Sequence, residues 1–205
     1  PKRLLKNTDK ARFVCLVLVF ITTVLFFEST GFLEGINDYC YNLAFRLRGE
    51  RDHDNRIIIA AIDEKTLAKL GRWPIRRSWY ADLLDILDQA AVVGIDIILS
   101  EPSEEDARLS SAITQHAKVV LPVYIDRQFN ISNPAKAFSS AGLGHVHLEQ
   151  GIDGFVKEVF HTISHQSDSI PSFASALNAV INSGKMPQPE IQDKIPQQKV
   201  FDNII

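Results

Sequence analysis

The chain has 205 residues, 45% of them hydrophobic, enough to bury one sizeable core arranged in one or two domains. Of its 22 Lys and Arg and 25 Asp and Glu, five bases (Lys2, Arg3, Lys6, Lys10, Arg12) and one acid (Asp9) lie in residues 1–12, so the rest of the chain holds seven more acids than bases. An acidic body excludes the clustered basic face that neutralises phosphates, so nucleic acid is not an expected partner.

Phe13 to Phe27 (FVCLVLVFITTVLFF) carries no charge. As a helix it would span only about 22 Å, short of the roughly 30 Å hydrocarbon core. Extension through Glu28 to Leu33 makes it long enough, and residues 13–33 are therefore predicted to form a transmembrane helix with the membrane as its partner. The basic flank, residues 1–12, should stay in the cytoplasm and residues 34–205 should be exported. A cleaved secretory signal is the alternative, with Ser29-Thr30-Gly31 as its small-x-small site. Both readings export the body. Cys15 lies in the apolar run and Cys40 outside it, so no internal disulfide is expected. Cys40 reads as a half-buried free thiol or as a link between two chains.

Past the apolar run, Ile36, Tyr39, Cys40, Leu43 and Leu47 recur at helical spacing, which predicts that the helix continues and ends near Gly49, after Arg46 and Arg48. Ile57 to Ile62 reads as a buried strand, followed by a short helix from Glu64 to Leu70 closed by Gly71. A longer helix is expected over 75–90, with Tyr80, Leu83, Leu84, Leu87 and Ala91 on one face. Ala91 to Leu99 and Lys118 to Ile125 read as further buried strands. Between them lies a helix from Ser103 to His116, whose Ser103 and Asp106 resemble a capping box. Phe155 to Ile163 adds an edge strand, and Pro171 to Ser183 a last helix with Gly184 beyond its end. Strand and helix in alternation predict an α/β fold: an N-terminal transmembrane helix running into a three-layer domain with a mostly parallel sheet. The chain starts at Pro1 and stops at Ile205 after a polar, proline-bearing stretch, and reads as truncated on its C-terminal side.

Several side chains stand where chemistry gathers. Asp63 and Glu64 close the first predicted strand, beyond the carboxyl end where parallel sheets collect ligands. Asp96 interrupts an apolar run, and because a buried, unpaired carboxylate is costly it needs a donor or lies near the strand end. Asp153-Gly154 is a turn signal that places an acid near the sheet edge. Trp73, Arg76 and Arg77 lie in one loop, and an arginine from it paired with Asp63 or Asp96 would settle their burial. The group has three readings: an ion-pair network fixing helix against sheet, a pocket for a ligand, or an acidic site for hydrolysis using Asp63, Asp96 and Asp153. No spacing matches a metal motif, nucleophile elbow or phosphate cradle, so no metal, cofactor or catalytic residue is expected. His145 and His147 share one face of a strand, His161 and His165 would share a face of either a strand or a helix, and all four read as solvated or structural.

In order along the chain, Asp38-Tyr39…Arg46-Leu47-Arg48, Ile57 through Ile62 with Asp63-Glu64, Leu70-Gly71-Arg72-Trp73-Pro74…Arg77, Gly94-Ile95-Asp96, the Asp106 region, Leu143-Gly144-His145-Val146 and Asp153-Gly154-Phe155-Val156-Lys157 together resemble the type-two CHASE domain. The likeness covers roughly residues 30–185. Lys157 stands where the pattern calls for Arg, which keeps the charge and loses the bidentate fork. The resemblance implies an extracytoplasmic sensory module of a bacterial transmembrane receptor, held in the inner membrane with its body in the periplasm or outside the cell. It also implies a cytoplasmic output domain, such as a cyclase, cyclic-di-nucleotide enzyme or kinase, not present in these 205 residues. The expected role is then to pass a small-molecule or protein cue through the helix bearing Ile36, Tyr39, Leu43 and Leu47, with a homodimer as one expected assembly. An exported, membrane-anchored hydrolase and a non-signalling scaffold are the alternatives.

Overall fold

A computed structural model describes residues 2–126, 130–151, 154–165 and 168–188. The chain divides into two units, one up to Ala60 and one from Ala61.

The first unit is helical. Helix α1 (Lys2–Ser29) contains a 21-residue stretch, Asp9–Ser29, long and apolar enough to cross a membrane. Its two mid-segment hydroxyls are satisfied within the helix: Thr22 donates to the Leu18 and Val19 carbonyls and Thr23 to Val19, at 2.8–2.9 Å. This is the arrangement a lipid-exposed segment requires, because lipid offers polar groups no partner. The helix does not run on to Gly49 as its periodicity predicts. Gly31 adopts a left-handed conformation (φ 69°) and its N–H bonds three residues back to Glu28, ending α1 and starting helix α2 (Phe32–Arg48). Only glycine takes this conformation without a Cβ penalty, which is why the break falls there. The far end is as expected: Arg46 and Arg48 occupy the last turn, and the Gly49 N–H (φ 71°) bonds to the Phe45 carbonyl.

Ile57 to Ile62 is not a strand. Ile57, Ile58 and Ile59 are more than two-thirds exposed, and no strand pairs with the segment among the described residues. A β-branched run becomes a strand only beside a hydrogen-bonding neighbour, and its composition cannot supply one.

The second unit holds the α/β domain. Helices α3 (Glu64–Leu70) and α4 (Arg77–Ile86) precede the parallel pair β1 (Val93–Gly94) and β2 (Val119–Ile125), which are joined through helix α5 (Asp106–His116). Strand β2 is the hub of the sheet. It pairs in parallel with β1 and, after a 3-10 turn, with β4 (Gly142–His145), and antiparallel with β3 (Ile131–Ser132). A separate antiparallel hairpin, β5 (Thr162–His165) and β6 (Asp168–Pro171), leads into helix α6 (Phe173–Ser183). The edge strand expected over 155–163 is thus displaced toward the hairpin. The strand expected over 91–99 shrinks to two residues, because the Ile97 N–H turns back onto the Ile95 carbonyl and bends the chain away from β2.

Alternation along β2 builds three layers. Val119 and Leu121 meet Tyr80 and Leu84 of α4 and Leu109 and Ile113 of α5, whereas Val120 faces Ala176 and Val180 of α6. The α6 layer sits close to the sheet. A Cβ on Gly144 would lie 2.7 Å from the Phe173 Cα, and one on Gly94 2.9 Å from its ring, so these two positions take glycine for approach rather than for turning. Helix α6 is capped by Ser172, which accepts the Ser175 N–H at 3.1 Å, and ends at left-handed Gly184.

Candidate functional site

Asp63 spends its carboxylate on the start of α3. Its Oδ1 accepts both the Thr66 N–H and the Thr66 hydroxyl at 2.8 Å, and these bonds, the backbone one foremost, hold its pKa below the usual range. Glu64, in the first turn, lines an open depression of about 410 Å³ with Leu67, Ala68, Gly71, Arg72 and Trp73. Trp73 is half exposed and joined to Pro74 by a cis peptide, while the next residue but one, Ile75, is buried in the main core. The loop is anchored by its isoleucine and presents its indole to solvent.

Arg76 and Arg77 find other acids than those the sequence suggests. Arg76 bonds Glu105 through Nε at 2.8 Å and through Nη2, and Glu105 also accepts the Ser78 N–H at 2.9 Å. The Ser78 bond first, then Arg76, hold Glu105 below its ordinary pKa. Arg77 is nearly buried; it pairs with Asp106, donates to the Glu101 carbonyl, and lies 5.5 Å from the centre of the Phe138 ring. Burial pushes the Arg77 pKa down, with Glu101 opposing. Arg108 reaches Asp82 in a third rung. Near the other end of α4 and α5, His116 Nε2 donates to the Leu87 carbonyl at 2.9 Å. Asp106 also reaches back to the Ser103 N–H at 3.0 Å, half of the expected capping box. The two helices are thereby fixed side by side over the sheet.

Asp96 is exposed, past the end of β1, and so escapes the burial that its apolar neighbours suggest. Asp153 lies outside the described residues; the adjoining Gly154 has φ 79°, and its N–H bonds the Gly151 carbonyl. Asp63, Asp96 and Arg77 thus have separate surroundings. Among the described residues no three His, Cys, Asp or Glu side chains are placed to hold a metal ion.

Helix α2 offers a different kind of surface. Ile36, Tyr39, Leu43 and Leu47 are 42–79% exposed. Another face is satisfied locally: the Tyr41 and Phe45 rings lie 4.8 Å apart and the Arg48 guanidinium sits 4.2 Å from the Phe45 ring centre.

The sequence profile of the CHASE2 domain matches residues 14–203, almost the whole chain. The chain belongs to the CHASE2 family. CHASE2 domains are extracellular sensory domains of signalling receptors, and their role is sensory rather than catalytic. No curated protein and no solved structure matches the chain. The CHASE2 match begins inside α1, so most of its apolar stretch, α2 and the α/β domain fall within its span.

Within this CHASE2 domain the histidines of β4 and its extension are buried, at 2% exposure for His145 and 8% for His147, and so are structural rather than solvated. His147 Nδ1 lies 3.2 Å from the Ile125 carbonyl and its ring stacks on Phe160. Burial first, and His147 second, lower the His145 pKa to about 4. Glu101 and Glu105 are the contributors that sequence reasoning missed. They sit 24 and 29 residues from their arginines, and no local spacing signals such a pairing.

Proposed function

We propose that this chain is the sensory input module of a bacterial transmembrane receptor. In this reading α1 anchors it in the inner membrane with residues 1–12 in the cytoplasm and the α/β domain in the periplasm. A small-molecule or protein cue alters the domain's packing, and the change passes through α2 and α1 to a cytoplasmic output domain such as a cyclase, a cyclic-di-nucleotide enzyme or a kinase. The observation that carries this reading is that a CHASE2 domain is joined, through α2, to a helix of membrane-spanning length behind five basic residues. The helix α2 is the link between anchor and domain, and its exposed Tyr39 and Leu43 are the side chains through which a partner would feel its motion.

The test has two arms. A reporter active only outside the cytoplasm, fused near Asn182, is expected to be active on a chain whose N-terminus is intact. In the full-length receptor, substitutions at Tyr39 or Leu43 are expected to alter output while the exported domain stays folded. A mature protein beginning at Phe32 would defeat transmembrane signalling by this helix. Metal-dependent ester or phosphoester hydrolysis lost on both Asp63→Asn and Asp153→Asn would replace the sensor by an anchored hydrolase.

A further inference from the structure

Five exposed residues of α2 follow one another at intervals of three, four, three and four: Leu33, Ile36, Cys40, Leu43 and Leu47. That average of 3.5 is the period of a coiled-coil seam, with Leu33, Cys40 and Leu47 at one core position of the heptad and Ile36 and Leu43 at the other. None of the five is buried within the chain. The positions flanking the seam are Phe32, Asn37, Tyr39, Ala44 and Arg46, so Asp38 and Arg48 fall outside it and one charged residue borders it. Two copies can therefore close on each other without facing rows of like charge.

We propose that α2 pairs with α2 of a second copy of this chain, in parallel and in register, so that Cys40 faces its own counterpart across a two-fold axis. The proposal rests on α1 spanning the membrane as described above. Two copies held in one membrane by identical anchors carry their α2 helices the same way up, which selects the parallel arrangement. Seventeen residues reach only about 25 Å, too little for two helices to associate strongly when free in solution. Confinement to one membrane supplies the missing effective concentration. Lipid is the competing occupant of an apolar helix face, and α2 fits it poorly. A helix lying in the interface carries Lys and Arg along its polar face, whereas the two arginines here both sit in the last turn.

The test uses the whole chain in membranes, with Cys15→Ser so that Cys40 is the one thiol. A mild added oxidant takes two electrons and two protons from a pair of facing thiols and leaves a disulfide. A dimer on a non-reducing gel is expected. Its yield should fall at least several-fold when the thiol is moved to Tyr41 or Phe45 in a Cys40→Ser background, return when it is moved to Leu43, and fall again for Cys40 in the presence of Leu47→Asp. Equal yields on and off the seam overturn the proposal. So do seam thiols that form no dimer yet are shielded from a water-soluble maleimide, which would put the helix against lipid. A chain recovered shortened and outside the membrane overturns the anchored reading and the parallel seam with it. An intact, membrane-bound chain without seam cross-links overturns the seam alone.

Discussion

Helices α2 and α4 are both amphipathic, yet α4 buries Tyr80, Ala81 and Leu84 and α2 buries none of its apolar residues. The difference lies in what each helix meets. The α4 stripe is matched within the chain by α5 and by the β2 side chains Val119 and Leu121, and two rungs of arginine–carboxylate pairs hold the start of α4 to α5. Among the described residues no such core exists in the unit up to Ala60, where apolar side chains are exposed on both helices. Amphipathicity states that a helix wants a neighbour. Whether the neighbour comes from the same chain, from another chain or from lipid depends on residues far away in sequence.

The contrast can be broken hardest at Arg77. Replacing it with Ala leaves the Asp106 carboxylate nearly buried without its partner, and the α/β domain should lose about 3–5 kcal/mol. Urea unfolding of the full chain in detergent would measure it, with Arg77→Met/Asp106→Leu recovering much of the loss. A denaturation midpoint unmoved by Arg77→Ala would mean that the pair does not hold α4 in place. The next effect belongs to His145. Its pKa is depressed in the folded state to about 4, so below pH 6.5 the unfolded chain takes up a proton that the folded chain refuses. Stability should therefore fall as pH drops from about 6.5 to about 4 and level off below, by up to roughly 3 kcal/mol. A His145→Leu chain should show a correspondingly flatter profile over that window. The smallest effect is on the other side of the comparison. Leu43→Ala should change the unfolding midpoint of the α/β domain by less than about 0.5 kcal/mol, because its side chain supports no core. A large shift would show that α2 is an internal part of the domain.

The same division marks what could be read from the sequence. Features fixed within a few residues were legible: the end of α2 at Gly49, the Ser103–Asp106 contact, the span of α3 from Glu64 to Leu70, and α6 closing at Gly184. So was β2, whose apolar run is the centre of the sheet. Several of the failures concern distant partners. Ile57 to Ile62 has the composition of a strand and, among the described residues, no mate beside it. For Asp96 the reading of a position near the strand end holds over that of a buried acid with a donor, because the chain has already turned off the sheet there. Arg76 and Arg77 were expected at the nearest interesting acids and instead reach residues of the α5 start. The burial of His145 and His147 follows from β4 pairing with β2, which no histidine spacing could announce.

Gly31 sets what the joint between anchor and domain can carry. The regular ladder of backbone bonds that makes a helix stiff in torsion is interrupted there: the Gly31 N–H reaches Glu28, and the next turn begins afresh with the Gly35 N–H on the Gly31 carbonyl. A residue without a Cβ has the widest freedom about its two backbone dihedrals. In the receptor reading, twist applied at the Gly49 end is expected to be absorbed at this glycine before it reaches α1. A pull along the chain is not absorbed in the same way, because covalent backbone connects the two helices across only Thr30 and Gly31. A joint of this kind is expected to pass displacement along the chain more readily than rotation.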